Sequence, residues 1–392
     1  MASSKRSWSL SSLPLVLIEE IFHRTPAESL ARSKPACKEW YDLITNNKRF
    51  RYEHFRRSPQ RTDERRFLRI DETVQIMDPV RRTRSSETRI PYELQTRHYI
   101  KAMVHCDGLM LCMCRDMESR IALWNPLTRD IKWIRPSKRF TTSDYYGIGY
   151  NKYQEDDYKI LRFSNDQSWN RHHYHREADV EIYYCKTSSW RTLDDAKVDW
   201  SVDSPCRGVA VTGNMYWLAR RMGEEMNLEY YILGFDFSVE TFKDVCFCPP
   251  AYYDNNYLSC FDGDRLSLIQ QDQDEKTSPI EVWVSSKLDD GNVLFTRYFT
   301  VSSPGLPALL FDRARASHPV YYIAENKRII AWCEGEVEVD EGDRLPVCIT
   351  LYEIDEGGVS SRLVTEEHYE DDYAGTFLCG YLYVPSLVPL PV

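Results

Sequence analysis

The spacing of apolar residues changes near residue 67, and the change divides the chain in two. Before it the spacing is helical. In Pro14–His23, Leu17, Ile18, Ile21 and Phe22 fall at i, i+1, i+4 and i+5, one face of a helix, with Glu19, Glu20 and His23 off it. Pro14 suits a first helical position. Thr25 with Glu28 three residues on makes a capping-box pattern, and Pro26 just inside it predicts that a second helix starts at once. Pro35 ends that helix, because the residue before a proline is pushed out of the α region. A third helix then carries Ala36, Cys37, Trp40, Tyr41 and Ile44 on one stripe. Asn46–Phe55 reads as a further amphipathic helix with Phe50, His54 and Phe55 turned inward. Helices of about ten residues cannot bury this much apolar surface among themselves, which predicts an exposed patch of the kind that marks a partner site.

From Phe67 onward short runs of Val, Ile, Tyr, Trp and Phe alternate with turn residues, the pattern of strands. A two-part unit recurs. A turn opens one strand in CDGLMLCM (106–113), TGNMYWLA (212–219), FDGDRLSLIQ (261–270) and ENKRIIAWC (325–333). A hairpin follows in ALWNPLTRDIKWI (122–134), EIYYCKTSSWRTL (181–193), LGFDFSVETFKDV (233–245), EVWVSSKLDDGNVLFTRYF (281–299) and TLYEIDEGGVSSRLV (350–364). Its anchoring aromatics Trp124, Tyr184, Phe235, Trp283 and Tyr352 stand about 50 to 70 residues apart, the period of a propeller blade with loop insertions. A ring of sheets must close to hide its edges, so Arg66–Met77 and Tyr381–Val384 are expected to share the last blade, giving about six. The proline-rich end, with Pro385, Pro389 and Pro391, reads as a tail rather than another repeat.

Both halves resemble known families. The order LP, then the Leu-Ile-Glu-Glu-Ile helix, then P-x-x-SLAR, then CKEW, within Leu13–Ile44, resembles a plant-type F-box. CDGLMLC, LWNPLTRDIKWI, YGIGYNKYQEDDYKILRF, IYYCKTSSWRTLD, RGVAVTGNMYWLA and GFDFSVETF stand in the order of the F-box-associated, kelch-like domain. The resemblance implies an α plus all-β chain. It has a three-helix F-box at residues 8–55, a basic linker at 56–66, and a β-propeller of kelch-like repeats at 67–392. It further implies that Leu13, Pro14, Leu17, Ile18, Ile21, Leu30, Cys37 and Trp40 bind the Skp-family linker protein, and through it the cullin and RING subunits of an SCF ubiquitin ligase.

Composition narrows the chemistry. The chain has 392 residues, 42% of them hydrophobic, and no apolar run long enough to span a bilayer or serve as a signal-peptide core. Twelve cysteines without any N-x-S/T acceptor predict free thiols in a reducing compartment, cytoplasm or nucleus. Net charge is −10, yet residues 1–100 hold 20 Lys and Arg against 13 Asp and Glu, so the two ends are built for different partners. The arginines from Arg56 to Arg89 invite a nucleic-acid reading, but Glu, Asp and Pro interrupt them and no binding motif follows. Cys106, Cys112, Cys114, Cys246, Cys248 and the run His172, His173, His175 lack zinc-ligand spacing and are read as buried strand thiols and a loop. No G-x-S-x-G, P-loop or dinucleotide motif occurs, and the carboxylate clusters fall in turns, so no catalytic, cofactor or metal residue is assigned. The expected role is that of a non-catalytic receptor. The F-box holds the ligase, and loops near Ser164–Ala178, Arg220–Glu229, Gln271–Ser278 and Cys333–Arg344 hold a target protein. A propeller interaction protein working without the ligase, or a propeller enzyme, are the alternatives.

Overall fold

Type I′ turns set the beat of the larger domain. Asp107–Gly108, Thr212–Gly213 and Asp262–Gly263 each place two successive residues at positive φ (49° to 80°), as do Asn326–Lys327 at 60° and 56°. This is the backbone twist that matches a right-handed hairpin. These are the turns that recur in the sequence, and each joins the first and second strands of a sheet. The computed structural model describes residues 13–57, 66–70, 74–78, 83–88, 100–114, 121–141, 144–154, 157–164, 179–193, 200–202, 208–222, 228–249, 255–272, 278–303, 306–307, 309, 319–336, 347–367 and 378–391.

Among the described residues there are six antiparallel sheets. Blade I holds β4 (Ile100–Cys106), β5 (Leu109–Cys114), β6 (Ile121–Trp124) and β7 (Ile131–Ile134). Blade II holds β8 (Asp144–Tyr150), β9 (Tyr158–Ser164), β10 (Val180–Tyr184) and β11 (Ser189–Thr192). In blade III the inner strand is split into β12 (Ser201–Val202) and β13 (Val209–Val211), both paired to β14 (Asn214–Met222), followed by β15 (Leu228–Asp236) and β16 (Thr241–Phe247). Blade IV runs β17 (Asn255–Phe261), β18 (Arg265–Gln271), β19 (Ile280–Ser285), β20 (Phe295–Val301), and blade V runs β21 (Val320–Ala324), β22 (Arg328–Glu336), β23 (Val347–Asp355), β24 (Gly358–Glu367). Blade VI takes three strands from the front of the domain, β1 (Arg66–Ile70), β2 (Val74–Asp78) and β3 (Thr83–Thr88), and one from its end, β25 (Leu378–Tyr383). The inner strands β25, β4, β8, β13, β17 and β21 neighbour one another around the axis.

The expected closure is therefore present. β25 pairs with β1, Arg66 opposite Tyr383 and Phe67 opposite Leu382. Two aromatics fasten this composite blade to its neighbours. Phe67, fully buried, lies 5.4 Å from Trp332 and 5.9 Å from Tyr322 of blade V. Tyr383, also fully buried, packs with Met103, Met110, Cys112 and Trp124 of blade I. Of the predicted anchors, Trp124 and Phe235 are fully buried, while Tyr184, Trp283 and Tyr352 are half-buried.

The helical domain differs from its expectation in two places. Helix α1 spans Leu15–His23 with Pro14 as its N-cap, and α2 spans Ala27–Ser33 with Pro26, not Thr25, as N-cap. Thr25 thus sits one residue too early to reach the α2 amides. Its hydroxyl donates back to the Ile21 carbonyl (2.9 Å), Glu28 pairs with Arg66 (3.6 Å), and no capping box forms. Pro35 does break the helix, in a 3-10 turn at Lys34–Ala36. The third helix, α3, is only Lys38–Tyr41 and widens into a π turn at Asp42–Asn46, which buries Leu43 and Ile44 and leaves Tyr41 outside. The single predicted stripe is split because the π turn rotates the residues beyond Tyr41 away from it. α4 (Lys48–Arg57) starts where Asn47 Oδ1 accepts the Phe50 amide (3.0 Å), and Phe50 and His54 point inward as expected. Among the described residues the domain thus holds the three expected helices and, in α4, the further helix expected over Asn46–Phe55.

The closure makes a direct prediction. A fragment of residues 100–375 lacks the whole of blade VI, β1 to β3 and β25, which exposes the apolar faces of blades I and V that pack on Tyr383 and Phe67, and it is expected to aggregate and to melt without a cooperative transition. A soluble, cooperatively melting 100–375 fragment, seen by calorimetry, contradicts it.

Candidate functional site

Helix α1 divides its apolar residues between two surfaces. Ile18 and Phe22 enter a core with Ala27, Leu30, Leu43, Ile44 and Phe50, where Trp40 meets Phe22 edge-to-face at 4.9 Å. Leu17 (50% exposed) and Ile21 (40%) lie outside with Leu15, Val16 and Tyr41. Pro14, Leu17 and Ile21, at i, i+3 and i+7, form one outward stripe. Val16 at 75% exposure beside Leu17 at 50% continues this stripe as a contiguous run of exposed apolar side chains.

Of the eight expected contact residues, Pro14, Leu17 and Ile21 are exposed. Leu13, Cys37 and Trp40 are half-buried, the first and last packed on the helical core. Ile18 and Leu30 are buried within that core, so in the free chain they support the stripe from beneath. Leu15 and Val16 are exposed apolar residues that the sequence reading left out, and Tyr41, read as part of the third helix's stripe but not as a contact, is exposed with them. Beside the stripe, Glu20 accepts from Arg24 (2.9 Å) and from Arg57 of α4 (3.1 Å); the Arg57 and Arg24 guanidiniums hold its carboxyl below the usual range.

The helical domain is not a free appendage. Tyr52 is buried, and Phe55 partly so, within the propeller's main apolar cluster, alongside Cys106, Leu109, Tyr158 and Val388. Asp107, in the β4–β5 turn, accepts a hydrogen bond from the Tyr158 hydroxyl (2.9 Å) at this junction. Loss of hydration pushes its carboxyl up to about 6, with the Tyr158 and Cys106 hydrogen bonds and the Arg56 charge pulling the other way.

The propeller's two faces differ. In an antiparallel blade, connections alternate between ends. First-to-second and third-to-fourth turns share the face where the helices dock, as shown by the tail's contact with Gly108 and Asn125. Second-to-third connections share the other. All four expected target loops are second-to-third connections, β9–β10, β14–β15, β18–β19 and β22–β23, so their strand ends converge on the face opposite the helices. The loop tips, like His172–His175, lie outside the described residues. At the foot of the β9–β10 connection buried Arg162 donates to Asp144 (2.6 Å), Asp179 (3.0 Å) and Glu181 (2.7 Å), a rigid mount.

Cys106, Cys112 and Cys114 are buried strand thiols as expected, whereas Cys246 is half-buried in β16 and Cys248, also half-buried, lies just past its end. Cys112 and Cys114 pack in the apolar cluster of blade I with Trp124, and burial holds the Cys112 thiol well above its ordinary value. Burial likewise pushes Cys246 up to about 12. The described cysteines are thiols, none of them in a disulfide. Among the described residues no three His, Cys, Asp or Glu side chains converge as a ligand set, and no helix is long and apolar enough to cross a membrane. Of the carboxylates read as turn residues, Asp157 lies between strands and pairs with Lys159 (3.6 Å) and Lys186 (3.7 Å), whereas Glu334 and Glu336 lie in β22 and Glu366 and Glu367 in β24, where long hairpin strands run on past the expected turns.

Residues 10–52 match the F-box domain, and residues 62–390 match the F-box associated beta propeller domain. The chain belongs to the F-box proteins with an associated β-propeller. F-box only protein 15 of Arabidopsis thaliana is 47% identical over 404 residues, covering all of both chains. F-box/WD-40 repeat-containing protein 1 of the same plant is 38% identical over 403 residues, covering 100% of this chain and 92% of that one. Among solved structures, Hadza microbial sialidase Hz136 is similar at a TM-score of 0.40 and 11% identity, covering 77% of this chain and 67% of that one. The kelch-like repeat of the sequence reading is thus the repeat of this propeller family.

Two outcomes are expected. Ile18→Asp buries an unpaired carboxylate in the F-box core at a cost of several kcal/mol, whereas Leu17→Asp stays within about 0.5 kcal/mol of wild type; thermal melts followed by helical circular dichroism separate them. For Asp107, the folded pKa lies above that of the unfolded chain, so its contribution to stability is full below about pH 4 and is lost as pH rises through about 6. Asp107→Asn should therefore raise the melting temperature at pH 7.5 and have little effect at pH 4; an equal shift at both pH values would refute the assignment.

Proposed function

We propose that this F-box protein is a substrate-recognition subunit of a cullin-RING, SCF-type E3 ubiquitin ligase. Family membership supports an adaptor role of this kind in general. The observation that carries the finer reading is the outward apolar stripe of α1 on one side of the molecule, with the long second-to-third connections gathered on the other. The stripe, Pro14, Leu17 and Ile21 with Leu13, Cys37 and Trp40 at its margin and Ile18 and Leu30 beneath, binds the Skp-family linker protein, and through it the cullin and RING subunits. The loops on the far face bind a target protein.

In this reading the chain positions and does not make bonds. Holding an acceptor lysine near a ubiquitin-charged enzyme raises its effective concentration, and ligation chemistry comes from the other subunits. No nucleic acid, membrane or cofactor enters the scheme. Cysteines kept as thiols fit the reducing cytoplasm or nucleus.

Leu17→Asp, or Leu13→Asp combined with Pro14→Ala, is expected to lower capture of the linker protein by roughly a hundredfold or more, because docking would bury an unpaired carboxylate. The propeller's melting transition should be unchanged. Wild-type recovery of the linker protein by these variants in a quantitative pull-down would refute the proposal.

A further inference from the structure

Residues 384–391 leave β25 on the F-box face of the ring, and although proline-rich, none of them is exposed. Their side chains point alternately into two bodies. Leu387, fully buried, completes the F-box core beside Ile18, Phe22, Leu30 and Phe50, and Leu127 of blade I reaches the same cluster. Val388, equally buried, enters the propeller cluster with Leu390.

The backbone between them is gripped from both sides. Asn125, fully buried in the β6–β7 turn, donates its side-chain amide to the carbonyls of Ser386 (3.0 Å) and Val388 (2.8 Å). Its own oxygen accepts the amides of Leu127 and Thr128 (2.9 and 3.2 Å), which fixes its orientation. From the F-box, the Arg51 guanidinium of α4 donates to the Leu387 carbonyl and, at 2.8 Å, to that of Thr45. Lys132 donates to the Pro391 carbonyl (2.9 Å). The approach is close enough to require glycine at position 108: a Cβ there would stand 2.2 Å from the Ser386 Cβ, at a φ of +80°.

We propose that residues 384–391 are the joint that fixes the F-box on the propeller, with Asn125 and Arg51 as its two positioning residues. Proline restricts the free tail and so lowers the entropy lost when it docks, which suits a short segment serving as a wedge. The joint stands on the contacts alone. Its role, setting the distance from ligase to target loops, rests on the function proposed above.

The test uses the full-length chain and two kinds of variant. Stopping the chain after Tyr383 keeps β25 and ring closure but removes the joint, and Asn125→Ala loosens it from the propeller side alone. Hydrogen exchange by mass spectrometry should rise about tenfold or more in α4 while blades III to V exchange as in wild type, as expected for local rather than global opening. Small-angle scattering should show a larger radius of gyration. If the truncated chain does not fold, Asn125→Ala decides. Unchanged α4 exchange and radius overturn the proposal. A uniform rise across all blades overturns it too, because the tail would then be ordinary core. Linker capture by Asn125→Ala should stay within about threefold of wild type, since the α1 stripe and Leu387 are both kept; failure of the wild-type chain to capture the linker would count against the ligase reading alone.

Discussion

The pairing of β1 with β25 is the constraint on which everything else depends. A propeller blade buries its faces against two neighbours and leaves its inner strand at a crowded axis, so a missing strand exposes two seams at once. Here residues more than three hundred positions apart complete one sheet, and Phe67 and Tyr383 lock it to blades V and I. Until both ends of the repeat region are present, the other sheets have no closed ring to pack in. The loop-closure entropy is charged once and grows only slowly with length, which makes such a distant pairing tolerable.

Closure also sets the polarity of the molecule. Because β25 is the inner strand of its blade, it delivers the chain's last residues to the face carrying the first-to-second turns, and β1 brings the preceding helices to the same blade. Arg66, next to Phe67, reaches Glu28 of α2. The F-box and the tail meet on one face, and the long second-to-third connections are left on the other. A binding protein that must hold two partners gains from this separation, since neither partner obstructs the other's approach.

The F-box itself shows how a very small domain is stabilised while keeping an apolar face exposed. Its core of Ile18, Phe22, Leu30, Leu43, Ile44 and Phe50 is completed from outside by Leu387 and Leu127. Support borrowed from the propeller lets Leu15, Val16, Leu17 and Ile21 remain on the surface rather than being recruited to fill the core. His54, buried, ties α4 to the α1–α2 turn through the Thr25 carbonyl (2.8 Å), so the helices are set at fixed angles beneath the exposed stripe.

The sequence alone determined what depends on short-range chemistry. Turn pairs such as Asp107–Gly108 and Thr212–Gly213 take positive φ and announce four of the six blades, and strand alternation between them gives the repeat and its approximate number. The helical spacing of Leu17, Ile18, Ile21 and Phe22 gives α1, and its residue order gives the family. Only tertiary structure decided which of those four residues face out, because adjacent positions on one helix can be claimed by different neighbours, here the F-box core and solvent. It likewise decided the fate of Thr25, left outside the cap because Pro26, at an extended ψ of 140°, takes the N-cap position itself, and of the tail. Nothing within PSLVPLP shows that Leu387 belongs to a helical core more than three hundred residues away. That assignment comes from where β25 ends, and pairing across the whole chain is a property no local pattern encodes.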